Sequence, residues 1–239
     1  MSGAANPWAP RRFWTQATVV DAAGGFGVAL DDRPLRTPGR AALVVPVRAL
    51  AQAVADEWAA QDGTVRPDTM PVTRAVNAAI DRVAPDPEPL IDGIAAYGES
   101  DLLCHRAPGP AGLVARQAAA WDPLLAWAER DLGARLVPVQ GVMPAAQPPE
   151  SLSALRAAVA RLDAFALTGL SEVVSLSGSV VIGLAVALEH RPAAELWDIA
   201  HLDEIWQTEQ WGSDAAAEAA RALRGAAFQR AADLLAMLR

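Results

Sequence analysis

The stretch Ser171–His190, SEVVSLSGSVVIGLAVALEH, leaves the chain few ways to fold. It is apolar on almost every side, and a helix of that kind is stable only when other elements surround it. Its longest unbroken apolar run, Val180–Leu188, is about half of what a bilayer span needs, so the shell around it is protein rather than lipid. Alanine supplies much of the 52% hydrophobic content and favours helix over sheet. The expectation is a central buried helix inside a helical shell, with Gly178 and Gly183 letting neighbours approach closely.

The rest of the chain divides by period. Residues 12–48 read as four short antiparallel strands, RFWTQATVV, FGVAL, the proline-bounded edge RPLRTP, and AALVVPV. Turns fall at Asp21–Gly25 and at Asp31-Asp32. From Ala49 the spacing becomes helical, with Leu50, Val54 and Trp58 on one face. MPVTRAVNAAIDRV opens on a proline, as helices often do, and APDPEP at 84–89 breaks the pattern. Val114–Leu132 is expected to be a long helix in which Pro123 either makes a kink or marks a new first turn. A loop with four prolines spans 137–151, and Ser151 is placed to cap LSALRAAVARLDAFAL, which should stop at Thr168-Gly169. Ala215–Leu238 is a terminal helix. The fold class is therefore α+β: an antiparallel β domain over 1–48, then a larger all-α domain over 49–239. No internal repeat is visible, and only the first ten residues lack a pattern.

Leu196–Asp214, LWDIAHLDEIWQTEQWGSD, is the most unusual segment. Read as one helix, Leu196, Ile199, Leu202 and Trp206 form an apolar stripe. Asp203 falls inside that stripe, while Trp197 and Glu204 share nearly the opposite face. An acid sits where a core residue is expected and an aromatic where water is expected. Gly212 ends the helix. From Glu189 to Glu218 eight acids face one base, Arg191, a local charge of −7 out of the chain's −8. Such a run is either a solvated acidic face or a docking face for a basic or amphipathic surface, since tryptophan beside fixed charge is typical of binding hot spots.

Composition excludes several chemistries. A pI near 4.9 argues against nucleic-acid binding. All 20 basic residues are arginine, so a P-loop, a Schiff-base enzyme and a kinase, which each need a lysine, are ruled out. One cysteine forbids an internal disulfide and fits a reducing compartment. Cys104-His105, three residues after Asp101, admits a cysteine nucleophile, yet adjacent residues rarely face each other and a buried structural cysteine is the plainer reading. His201 and Glu204 are at a helical ligand spacing, but one cysteine and three dispersed histidines do not make a zinc site. Gly24–Gly27 lies in a hairpin turn, so it is not a dinucleotide fingerprint. No catalytic, cofactor or metal signature emerges, and an interaction protein is the better reading.

Four blocks in order carry a resemblance: RFW with DDRPLRTPGRAALVVP; VADEWAAQ with MPVTRAVNAAID; YGESDLLCHRA; and LDEIWQTEQWGSDAAAEAA. Together they resemble the assembly chaperones of F-type ATP synthase that act on the α subunit of the catalytic head, over nearly the whole chain. The resemblance implies a non-enzymatic monomer that binds unassembled α subunit, shields the surface later covered by the β subunit, and leaves when the hexamer forms. It places partner binding on Glu209, Trp211 and Asp214 around Gly212, with Glu204 nearby, and gives Trp58 a structural role. Ser213 stands where the family often has an acid. Intramolecular capping or pairing of Glu209 and Asp214 is the competing reading. Without a presequence, a bacterial cytoplasmic location is expected, with neither nucleic acid nor stable membrane insertion. A Cys104-dependent hydrolase and a stable accessory subunit of the synthase are the alternatives.

Overall fold

The computed structural model describes residues 11–141 and 145–239. The first ten residues and the centre of the proline-rich loop, expected to lack regular structure, lie outside the described residues. The fold is α+β, with 62% helix, and divides into two compact units, which are described separately. The first runs to Pro85 and includes Met237–Arg239; the second is Asp86–Ala236.

In the first unit, β1 (Ala17–Ala22) and β2 (Gly25–Leu30) form a hairpin. Its register sets Ala17 opposite Leu30 and Val19 opposite Val28. The turn closes through Gly24 at φ 88°, a conformation that favours glycine. β3 (Arg33–Pro34) and β4 (Val44–Val45) each pair with β2, also antiparallel, so the four expected strands form one sheet. The turn between β2 and β3 is held by Asp31, whose carboxylate accepts from the Gln16 and Thr15 amides and the Thr15 hydroxyl. Those donors hold its carboxyl below the usual range.

Strand gives way to helix at α1 (Arg48–Ala59), which packs on β1, β2 and β4. Leu50 and Val54 are fully buried and Trp58 is half-buried against Trp14, ring centroids 5.2 Å apart. α2 (Pro71–Ala78) follows with its proline at the first turn. Its first-turn amides are not capped by a local side chain. The Glu57 carboxylate of α1 reaches over and accepts from Val72 and Thr73, both at 2.7 Å.

The second unit contains α3 (Glu88–Ala95), α4 (Ala111–Trp127), α5 (Pro149–Val159), α6 (Ala164–Ser177), α7 (Val180–Ala187), α8 (Ala193–Ala200), α9 (Leu202–Trp211) and α10 (Ala215–Met237). α10 continues to Met237 and so ends in the first unit. α7 is the buried centre: every residue from Val180 to Val186 is buried. Gly183 lets α6 lie against it, since a methyl there would sit 2.3 Å from Val174 Cγ2. α4 passes through Pro123 without ending.

Three expectations need correction. Ser171–His190 is not one helix: Gly178 adopts φ 70° and closes α6, and Ser179 caps α7 by accepting from the Ile182 amide. The preceding segment does not stop at Thr168-Gly169, which lie inside α6. Its break falls at Ala160–Asp163, where the Asp163 carboxylate accepts from Ala166 N and starts α6. Ser151 is not a cap either; it lies inside α5 and donates to the Arg135 carbonyl. The 137–151 loop also holds a two-residue strand, β6 (Val139–Gln140), parallel to β5 (His105–Arg106). Among the described residues, no helix is long and apolar enough to cross a membrane.

Candidate functional site

The acidic segment is two helices rather than one. His201, at φ −108° and ψ 22°, closes α8 and opens α9. Its ring lies 3.7 Å from the Trp197 ring and its Nδ1 is 3.0 Å from the Trp197 carbonyl. The break resolves the conflict read in the sequence. Trp197 does not face water. It is buried against Phe228 of α10, ring centroids 5.2 Å apart, and Gly225 lets the indole approach the backbone. Leu196, Ile199 and Leu202 are buried as expected. Asp203, the acid in the apolar stripe, accepts a hydrogen bond from Gln117 Nε2 at 2.8 Å. Gln117 is itself fully buried and fixed by the Ala107 amide. Trp206 lies over Gly112 of α4, where a methyl would come within 2.7 Å of its ring.

An open groove of about 920 Å³ lies between α9 and the first half of α10. Five carboxylates line it, those of Asp198, Glu204, Glu209, Asp214 and Glu218, against two guanidiniums, Arg221 and Arg224. All four partner-binding candidates lie here, and they differ in what holds them. Glu209 is gripped by Arg116 of α4 through two hydrogen bonds, 2.5 and 3.0 Å, which hold its carboxyl below the usual range and raise the guanidinium. Glu204 is gripped by Arg224 of α10, at 3.1 and 3.0 Å. Asp214 starts α10, its carboxylate accepting from the Ala216 amide at 3.0 Å. Trp211 ends α9 with 78% of its surface exposed. Gly212 follows at φ 88°, turning the chain from α9 into α10.

Arg116, Arg224 and Gln117 were not singled out by sequence reasoning. Arg116 and Gln117 lie 93 and 86 residues from their acidic partners. Nothing local in the sequence marks them. Arg224 could have been found from the face it shares with Arg221 and Gly225 on the terminal helix.

The nucleophile reading of Cys104 fails on its surroundings. The thiol is buried, and burial together with the nearby Asp101 carboxylate pushes it up to about 12, so no thiolate forms near neutrality. Asp101 is fully buried and serves α7: its carboxylate accepts from Ser179 Oγ at 2.9 Å, Leu103 N at 3.0 Å and Val181 N at 3.2 Å. His201, considered as a metal ligand, uses its ring on Trp197, and among the described residues no cluster of three potential ligands forms.

The chain matches the model of the ATP12 chaperone protein over residues 11–129. It is similar to the crystal structure of Atp12 from Paracoccus denitrificans, with 43% identity and a TM-score of 0.91, covering 96% of this chain and 98% of that one. It is also similar to a candidate chaperone of Agrobacterium tumefaciens, with 44% identity and a TM-score of 0.90, over 96% of this chain and 87% of that one. Among curated proteins, the mitochondrial protein atp12 of Schizosaccharomyces pombe is 25% identical over 215 residues, 85% of this chain and 74% of that protein.

Proposed function

Since this chain belongs to the ATP12 chaperone family, which assists assembly of the ATP synthase, we propose that it binds the unassembled α subunit through the α9–α10 groove. It covers the surface that the β subunit later occupies and leaves when the catalytic head closes. Members of the family are chaperones, not enzymes. The bacterial cytoplasm is the expected site of action, given 43% identity to a bacterial relative.

The observation that carries this reading is Trp211, 78% exposed at the lip of a groove lined by five carboxylates. A large aromatic left in water beside fixed charge is how binding hot spots look before the partner arrives. A nucleotide-binding subunit without its neighbour exposes apolar surface and arginines, an aggregation liability that such a groove complements. Rim charges steer encounter more than they hold the complex, which suits a partner that must be released.

The test is dilution of denatured α subunit, followed by light scattering with and without the chaperone. Suppression near one-to-one is expected. Trp211→Ala should weaken binding about tenfold, the loss of a modest hot spot. Unchanged suppression by a well-folded Trp211→Ala protein would move the site elsewhere. Co-purification with the finished synthase would instead favour a stable accessory subunit.

A further inference from the structure

We propose that Arg116 and Arg224 are internal competitors: they occupy Glu209 and Glu204 in the free chaperone and must be displaced before partner cations can bind those acids. The inference rests on the groove reading above and adds its regulation. Both arginines grip their carboxylates with two hydrogen bonds, so each acid has both oxygens engaged. They do so from two different helices, one from α4 and one from α10. Neither pair is sealed. The side chains of Arg116 and Glu209 are 39% and 46% exposed, and those of Arg224 and Glu204 are 45% and 50% exposed. An exposed pair of this kind is cheap to break, because water and salt replace most of what the partner offered. Among the described residues, Asp198 and Glu218 line the same groove without an ion pair. With Asp214, whose carboxylate accepts from the Ala216 amide, the groove presents three acids ready to steer an approaching cation and two that must exchange partners.

This arrangement has a consequence for release. A guanidinium from the α subunit that takes Glu209 must leave Arg116 without its carboxylate. When the complex weakens, Arg116 is tethered within reach and reclaims the acid. The tether gives it a high effective concentration that no free cation matches. Affinity is thereby held down without removing the acids that give specificity and speed.

The experiment is equilibrium binding of isolated α subunit to the full-length chaperone, with Trp211→Ala as the control for the groove itself. Arg116→Ala and the milder Arg116→Gln should each tighten binding about two- to fivefold, the equivalent of one exposed ion pair. Arg224→Ala should act in the same direction. In a Glu209→Gln background the Arg116→Ala gain should vanish, which a general loosening of α9 would not produce. Circular dichroism and thermal melts establish that each variant is folded. Unchanged or weaker binding by folded Arg116→Ala and Arg116→Gln overturns the competitor inference, because the pair is then only a strap for α9. If Trp211→Ala binds as tightly as the wild type, the groove reading falls and takes this inference with it. If Trp211→Ala weakens binding but the arginine variants do not tighten it, only the competitor inference falls.

Discussion

At Gly183 a methyl group would lie 2.3 Å from Val174 Cγ2 and 2.9 Å from Leu170 Cδ1, both on α6. Gly183→Ala should therefore destabilise the protein, by about 1–3 kcal/mol as overpacking usually does, although alanine is the better helix former. A denaturant midpoint unchanged by the substitution would contradict this packing. Asp101 gives a second test at this scale. Burial pushes its carboxyl up to about 6 from 3.8, against the hydrogen bonds from Ser179, Leu103 and Val181. The folded protein then holds the proton more tightly than the unfolded chain. Its contribution is fully present below about pH 4 and is lost as pH rises through about 6. His201 has the opposite sign: burial lowers its pKa from 6.5, so its contribution is present above that value and is lost on acidification. The two overlap, so the measurement is a difference. Relative to Asp101→Asn, wild-type stability should rise on going from about pH 7.5 to pH 5, by an amount on the order of 1–1.5 kcal/mol. A pH-independent difference between the two proteins would sink the assignment. Cys104 should resist alkylation at neutral pH in the native state, with its thiol raised to about 12, and react only on unfolding.

Helix boundaries in this protein are set by single polar side chains, some of them distant in sequence. Asp163 and Ser179 start α6 and α7 by local capping. α2 is started by Glu57 from the helix before it. Glu57→Ala would leave the Val72 and Thr73 amides without their acceptor, and a loss of about 1–3 kcal/mol is expected. Glu57→Gln, which retains one acceptor, should recover part of it. Chemical denaturation of the three proteins would check both statements, and an equal loss in the two variants would argue against capping. This is also where sequence reading was least reliable. The α1 face, the proline start of α2, the four strands and the terminal helix followed from period and turn chemistry. The Thr168-Gly169 stop and the single helix over Leu196–Asp214 did not hold, because glycine inside a well-packed helix is tolerated and because His201 turns the chain to stack on Trp197. The acid in the apolar stripe was legible as an anomaly. Its explanation, Gln117, was not.

Over the whole molecule the charge distribution matters more than its total. The chain carries −8 overall, and Asp198 of α8, Glu204 and Glu209 of α9, and Asp214 and Glu218 at the start of α10 converge on one groove. Association with a basic surface should therefore slow as salt is raised, while dissociation changes less, since rim charges act mainly on encounter. Stopped-flow mixing across a salt series would measure this, and a salt-independent association rate would remove the electrostatic part of the proposal. By itself the sequence determined the fold class, a buried centre within Ser171–His190, the absence of lysine, and the unusual acidic and aromatic character of the segment where Glu204, Glu209, Trp211 and Asp214 lie. Periodicity, composition and charge are local properties, and the chain states them directly. Only the tertiary structure decided what each of those side chains touches. Arg116 reaches Glu209 across 93 residues, and Phe228 buries the tryptophan that the helical wheel turned toward water. Which face of a helix is covered depends on what packs against it, and no stretch of sequence carries that information alone.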